Sequence, residues 1–221
     1  MNQTRKIFGW LISATVPYIL IMLSIRLLFT PLFLVVEYNL PGFPEDPYGF
    51  TTRERLKYGS LSIQYLFNDE GPEFLESIHF EDGSPIYNER EVSHMLDVKN
   101  LLQTNLFIFY GLIVLHAVII GLSWRNKSLK EYWRDLSNGG WITIILIGTI
   151  IFAVVISFDQ LFTAFHKVFF TGDTWLFYFS DTLIRLFPMR LWQDAFIMMG
   201  LITLLFAFFL AIFGKRKSRA V

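Results

Sequence analysis

The sequence predicts an all-α polytopic membrane protein with four transmembrane helices. Three observations predict it. Of 221 residues, 53% are hydrophobic, 18% aromatic and only 17% charged, a balance far too apolar for a soluble domain of this size. Four apolar runs reach the roughly 20 residues needed to cross a hydrocarbon core of about 30 Å. The formal net charge of +0 also conceals a sharp segregation of basic residues along the chain.

The first run covers about 7–36 and is interrupted by Arg26. Pro17 and Pro31 should kink it or end it, because proline lacks the helical N–H donor. The second run covers about 102–123, the third about 141–162 and the fourth about 195–213. Together they make residues 1–221 a single membrane domain in this reading. Arg5 and Lys6 precede the first run without a small-residue cleavage site, so no removable signal peptide is expected. Cysteine is absent, which excludes a disulfide framework, a thiolate nucleophile, a cysteine-based zinc site and an S-acyl anchor.

Orientation follows from the flanks. Arg5 and Lys6, then Arg125, Lys127, Lys130 and Arg134, then Lys215, Arg216, Lys217 and Arg219 fall on one side of any four-pass arrangement. The positive-inside rule puts that side, with both termini, in the cytoplasm. The segment 37–101 holds 5 Lys or Arg against 13 Asp or Glu, a net charge of −8 consistent with an outer location.

Two outer segments separate the spans. The first, an extracytoplasmic cap at about 37–101 between helices 1 and 2, opens with a run dense in Pro and Gly from Leu40 to Phe50, which reads as tight turns. Thr51-Thr52-Arg53-Glu54 has the form of a capping box and introduces Leu56, Ile63, Leu66 and Phe67 at helical spacing. Glu81-Asp82-Gly83-Ser84-Pro85 is a turn signal. Asn88 with Glu91 three residues on predicts a helix start. No breaker follows, so one helix should run from about Glu89 into the membrane. The second outer segment, about 164–193 between helices 3 and 4, is aromatic-rich, as interfacial loops are. It lies flat or re-enters the bilayer.

Four histidines are the candidates for chemistry. His116, inside helix 2, reads as a bundle residue bonded to a neighbour, and His79 as a solvated surface residue. His94 lies about two turns before the second span, with Asp97 at i+3 on its face, where a carboxylate can orient the imidazole. His166 follows the third span, with Asp159 seven residues earlier on roughly the same face. Both histidines belong at the outer membrane boundary and can converge there. Arg26 needs a partner such as Asp159, a headgroup or water, and Lys99 reads as an anchor at the mouth of helix 2. No G-x-S-x-G, H-E-x-x-H, P-loop or dinucleotide fingerprint occurs. The His/Asp pair of glycerolipid acyltransferases, separated by four residues, is missing too.

A set of motifs runs through both outer segments. They are Phe43-Pro-Glu-Asp-Pro-Tyr-Gly-Phe50, Arg53-Glu-Arg-Leu-Lys-Tyr-Gly59, Ser93-His94-Met95-Leu96-Asp97-Val98-Lys99, Phe165-His166-Lys-Val-Phe-Phe170 and Leu186-Phe187-Pro188. In these the chain resembles a family of small bacterial integral membrane proteins, the lipoprotein intramolecular transacylases. The resemblance implies an acyltransferase of the bacterial cytoplasmic membrane with its active site at the outer face. Its substrate would be a diacylated lipoprotein, and its reaction transfer of the sn-2 acyl chain to the cysteine α-amine, giving a lyso-form lipoprotein. His94 and His166 match the family's catalytic pair. Asp97, Arg26, Arg53, Tyr58, Lys99 and Asp159 are expected to bind or orient substrate. No metal and no cofactor is implied, and the partners are lipoproteins and membrane lipids rather than nucleic acid. The rival readings are a non-catalytic receptor or assembly subunit using the acidic cap, and a metal-dependent hydrolase built on His79, His94 and His166.

Overall fold

The computed structural model describes residues 3–220. They fold into eight helices, with no strand among the described residues beyond an isolated bridge between His79 and Pro85. In chain order these are α1 (Gln3–Leu28), α2 (Pro31–Tyr38), α3 (Thr52–Phe67), α4 (Glu73–Glu76), α5 (Glu89–Arg125), α6 (Leu129–Phe169), α7 (Thr182–Leu186) and α8 (Met189–Ala220). Four helices, α1, α5, α6 and α8, are long and apolar enough to cross a membrane. Large apolar side chains on them, among them Phe107, Val114, Ile145, Val155 and Leu205, stay exposed, as lipid-facing residues should.

The apolar stretch of 7–36 folds as two helices, α1 and α2. Pro17 is carried inside α1, whereas Pro31 takes the first turn of α2, where its missing N–H costs nothing. Helix α6 is longer than its apolar run and loses helical geometry at Ser157, with φ −158° and ψ 84°. Helix α5 starts at Glu89 as its cap predicts. The Asn88 side chain accepts from the Glu91 N–H at 3.0 Å, and the Glu91 carboxylate accepts from the Asn88 N–H at 2.8 Å. The Thr51–Glu54 capping box at the start of α3 is also formed.

Contacts divide the described residues into two compact units, one of α1 up to Leu27, residues 105–156 and α8 from Phe196 onward, the other of 28–104 and 157–195. In the first, Ile12, Val16 and Leu20 of α1 pack with Ile119, Tyr132, Leu136 and Ala207. Small residues let backbones approach: a Cβ on Gly140 would meet the Ala207 carbonyl oxygen at 2.8 Å. Ser137 Oγ donates to the Ala211 carbonyl at 2.7 Å.

The second unit has a core of its own. Tyr58, Tyr65 and Leu66 of α3 pack with Leu75, Ile86, Tyr87, Val92 and Met95, and α7 contributes Leu183 and Leu186. The fully buried Glu91 fastens two elements here. Besides capping α5, its carboxylate accepts from the Leu183 N–H at 2.6 Å, satisfying a free donor of α7. Beside it, Thr182 Oγ1 donates to the Ile86 carbonyl at 2.6 Å.

Candidate functional site

His94 lies five residues into α5 and His166 near the end of α6. Both side chains are buried in the second unit, each residue only 8% exposed. Their rings stack with centroids 6.1 Å apart and planes at 22°. Aromatic rings enclose them. Phe170 and Phe177 stand edge-on to His94 at 5.0 and 5.3 Å, and Phe162 and Trp175 lie 4.1 and 4.9 Å from His166. The loop between α6 and α7 therefore supplies walls of the site.

The hydrogen bonds distinguish the two rings. His166 Nδ1 lies 2.8 Å from the Phe162 carbonyl oxygen, which only accepts, so Nδ1 carries the proton. In the neutral ring, Nε2 then holds the lone pair. His94 Nδ1 is buried with no hydrogen-bond partner among the described residues, and so is Trp175 Nε1. Buried polar atoms left without partners cost about 1–3 kcal/mol each, so two of them in one aromatic cage call for an explanation.

The structure brings the two expected histidines together but places the accompanying residues elsewhere. Asp97 is exposed and makes no hydrogen bond to His94 among the described residues. Asp159 is exposed two residues beyond the break at Ser157, and Arg26 is exposed in the last turn of α1. Lys99 is not an anchor at a helix mouth. Its side chain is buried, lies 4.2 Å over the Tyr65 ring, and donates to Asn68 Oδ1 at 2.8 Å and to the Glu70 carbonyl. It ties α5 to the turn after α3. Tyr58 belongs to the cap core, against Phe50 at 5.8 Å and Phe80 at 6.0 Å. His79 is exposed, its Nδ1 2.9 Å from the Ser77 carbonyl. Among the described residues no third His, Asp or Glu joins the pair in a grouping that would hold a metal.

Arg53 is exposed, and the guanidinium that matters structurally is Arg55. Arg55 is 5% exposed, lies 4.7 Å over the Tyr38 ring and 5.0 Å over Phe43, and donates to the Pro44 carbonyl at 2.8 Å. Burial pulls it below the usual guanidinium range. A helical stripe gave the signal: Arg55, Tyr58, Gly59, Ser62, Ile63 and Leu66 follow the i, i+3, i+4 pattern and are all buried. A second missed arginine, Arg185 of α7, holds Asp46 through three bonds of 3.4, 3.2 and 2.9 Å and stacks 3.7 Å over Phe50. Burial opposes ionisation of Asp46, but Arg185 and the Phe50 N–H outweigh it and keep the carboxyl below its ordinary range. These two arginines fix the Pro- and Gly-rich turns to α3 and α7.

Four helices long and apolar enough to cross a membrane, with a buried histidine pair walled by aromatics, define an all-helical polytopic membrane protein. The sequence profile of the lipoprotein intramolecular transacylases, Lit, matches residues 10–192. The chain belongs to that family. A relative of uncharacterised function from Aquifex aeolicus is 32% identical over 216 residues, covering 96% of each chain. The membrane-integral lipoprotein intramolecular transacylase Lit from Bacillus cereus has the same fold, with a TM-score of 0.81, 21% identity and 100% of both chains covered. Structures of that protein with one histidine replaced by arginine or by alanine align with TM-scores of 0.72 and 0.73, each at 22% identity. The first covers 98% of this chain and 94% of that one, the second 99% and 96%.

Proposed function

We propose that this chain isomerises diacylglyceryl-cysteine lipoproteins, moving the sn-2 acyl chain onto the cysteine α-amine. The observation that carries this reading is the stacked, buried pair His94 and His166 in a protein of this family. The amine must lose a proton as its nitrogen attacks the ester carbonyl, and the sn-2 oxygen must gain one as its bond to the acyl carbon breaks. Two adjacent imidazoles can do both, since each ring can accept a proton at one nitrogen and give one up. The fixed Nδ1–H tautomer leaves His166 Nε2 as the acceptor, so His166 is the base for the amine, and the proton it takes is delivered within the histidine pair to the leaving sn-2 oxygen.

Attack within one substrate molecule passes through a ring of about eight atoms, so proximity lowers the barrier by several kcal/mol without a protein nucleophile. The aromatic walls exclude water, which would otherwise compete with the amine for the ester. The basic flanks support cytoplasmic termini and an active site at the outer face of the bacterial cytoplasmic membrane.

The test is mass spectrometry of the N-terminal peptide of a reporter lipoprotein in a host without its own N-acylation. Wild-type protein should convert it to an N-acyl, monoacylglyceryl peptide of unchanged total mass, identified by fragmentation. His94→Ala and His166→Ala, at equal membrane levels, should each lower the rate by about 10²- to 10⁴-fold. An unchanged diacylglyceryl peptide with inserted wild-type protein would overturn the reading and favour a receptor using the acidic cap.

A further inference from the structure

We infer that the indole N–H of Trp175 is the hydrogen-bond donor for the oxyanion formed at the ester carbonyl. This rests on the transfer reaction proposed above and assigns a further catalytic residue to it. Trp175 lies in the loop between α6 and α7, with its ring 4.9 Å from that of His166. Its Nε1 is buried and has no partner among the described residues. Indole nitrogen only donates, so the atom needs an acceptor. The other such nitrogen of the cage, His94 Nδ1, belongs to the ring stacked 6.1 Å from that of His166. Two of the rings around His166 thus each carry a buried nitrogen without a partner among the described residues.

An ester undergoing attack matches this arrangement. As the amine nitrogen bonds to the carbonyl carbon, the C=O electron pair moves onto the carbonyl oxygen, which becomes a strong acceptor for the Trp175 N–H. As that pair returns, the bond from the acyl carbon to the sn-2 oxygen breaks, and this oxygen takes the proton supplied by the histidine pair. The donor is neutral and has no ionisation in the working pH range, so it serves the oxyanion without placing a second positive charge beside an imidazolium. Nε1 is buried, so its hydrogen bond is kept for the oxyanion rather than spent on solvent.

The test replaces Trp175 by Phe and, through a reassigned codon, by β-(3-benzothienyl)alanine, which keeps the two-ring shape and substitutes sulfur for N–H. Both are measured by the reporter assay in purified, lipid-embedded protein with thermal unfolding in parallel. The benzothienyl variant should unfold like wild type, keep its KM and lose about 10²- to 10³-fold in kcat. Restoring the N–H with 5-fluorotryptophan at the same codon should return kcat to within a few-fold of wild type. A benzothienyl variant with kcat within threefold of wild type, while His166→Ala is inactive, overturns the Trp175 assignment alone. Wild-type protein that leaves the reporter unchanged overturns the transfer reaction itself. Should the sulfur analogue unfold, a Trp175→Phe protein that folds and retains full kcat overturns the assignment equally.

Discussion

His116 in one unit and the His94–His166 pair in the other are built from the same materials and reach opposite ends. His116 is a histidine in a spanning helix, beside aromatic rings, with both ring nitrogens engaged. Thr15 Oγ1 lies 2.9 Å from Nε2 and the Tyr132 hydroxyl 3.1 Å from Nδ1. Because Thr15 already donates to the Ile12 carbonyl, its oxygen accepts from His116, and Tyr132 donates. Nothing is left over for a substrate. His94 Nδ1 has no partner among the described residues, and the bond at His166 Nδ1 leaves Nε2 as an acceptor. Satisfaction of polar atoms, more than burial or aromatic company, separates a histidine that holds a fold from one that is available for chemistry.

The comparison breaks most decisively on activity. His166→Ala should lose about 10²- to 10⁴-fold in transfer rate, whereas His116→Phe should keep its rate per folded molecule. Equal losses from the two would erase the distinction. On stability the order reverses. His116→Phe strands the Tyr132 hydroxyl and should cost about 1–3 kcal/mol in an unfolding measurement in detergent or lipid. A smaller but still clear contrast lies within the cap: Arg55→Ala should cost about 2–3 kcal/mol, because it removes a buried cation from two rings and frees the Pro44 carbonyl. Arg53→Ala, two residues away on the exposed face, should change stability by less than about 0.5 kcal/mol.

The most graded effect is one of pH. Glu37 is fully buried in α2, and burial pushes its carboxyl up to about 7, with the Asp194 carboxyl adding to the shift and Arg190 opposing it. The unfolded chain ionises this group near 4.5. Its stabilising contribution is therefore complete below that value and declines as pH rises towards about 7. Glu37→Gln should flatten this part of the stability profile in thermal unfolding scans at pH 4.5, 6 and 8. A slope unchanged by the substitution would refute the assignment.

The spans, the caps of α3 and α5 and the two histidines were legible because each depends on local pattern: apolar length, an Asn or Thr three residues before a Glu, and a set of motifs. What was not legible depends on partners distant in sequence. Asp97 at i+3 looked like the support for His94, but helical spacing brings a residue to a face without bending its carboxylate to a ring, and Asp97 is exposed. The bond from Glu91 to Leu183 spans 92 positions and has no local signature. Lys99, at the apparent mouth of a span, is drawn inward by the Tyr65 ring and the Asn68 side chain. In the sequence Trp175 is one aromatic in an aromatic-rich segment, and composition does not reveal that its indole N–H lacks an acceptor among the described residues.

Glu91 also sets a registry. It lies one helical turn before His94, and its other carboxylate oxygen fixes the start of α7, where the loop that leaves α6 after His166 comes to rest. The chain from His166 through Trp175 to Thr182 is thus a short closed circuit whose far end is pinned beside the helix carrying the partner ring. Bilayers differ in hydrocarbon thickness, and spanning helices answer by tilting. A pair of rings aligned only by its two spans would slide with every such adjustment. Here a further tether joins α5 to the start of α7, so the two imidazoles are aligned by the hydrogen bonds of their own unit as well as by the helices that carry them.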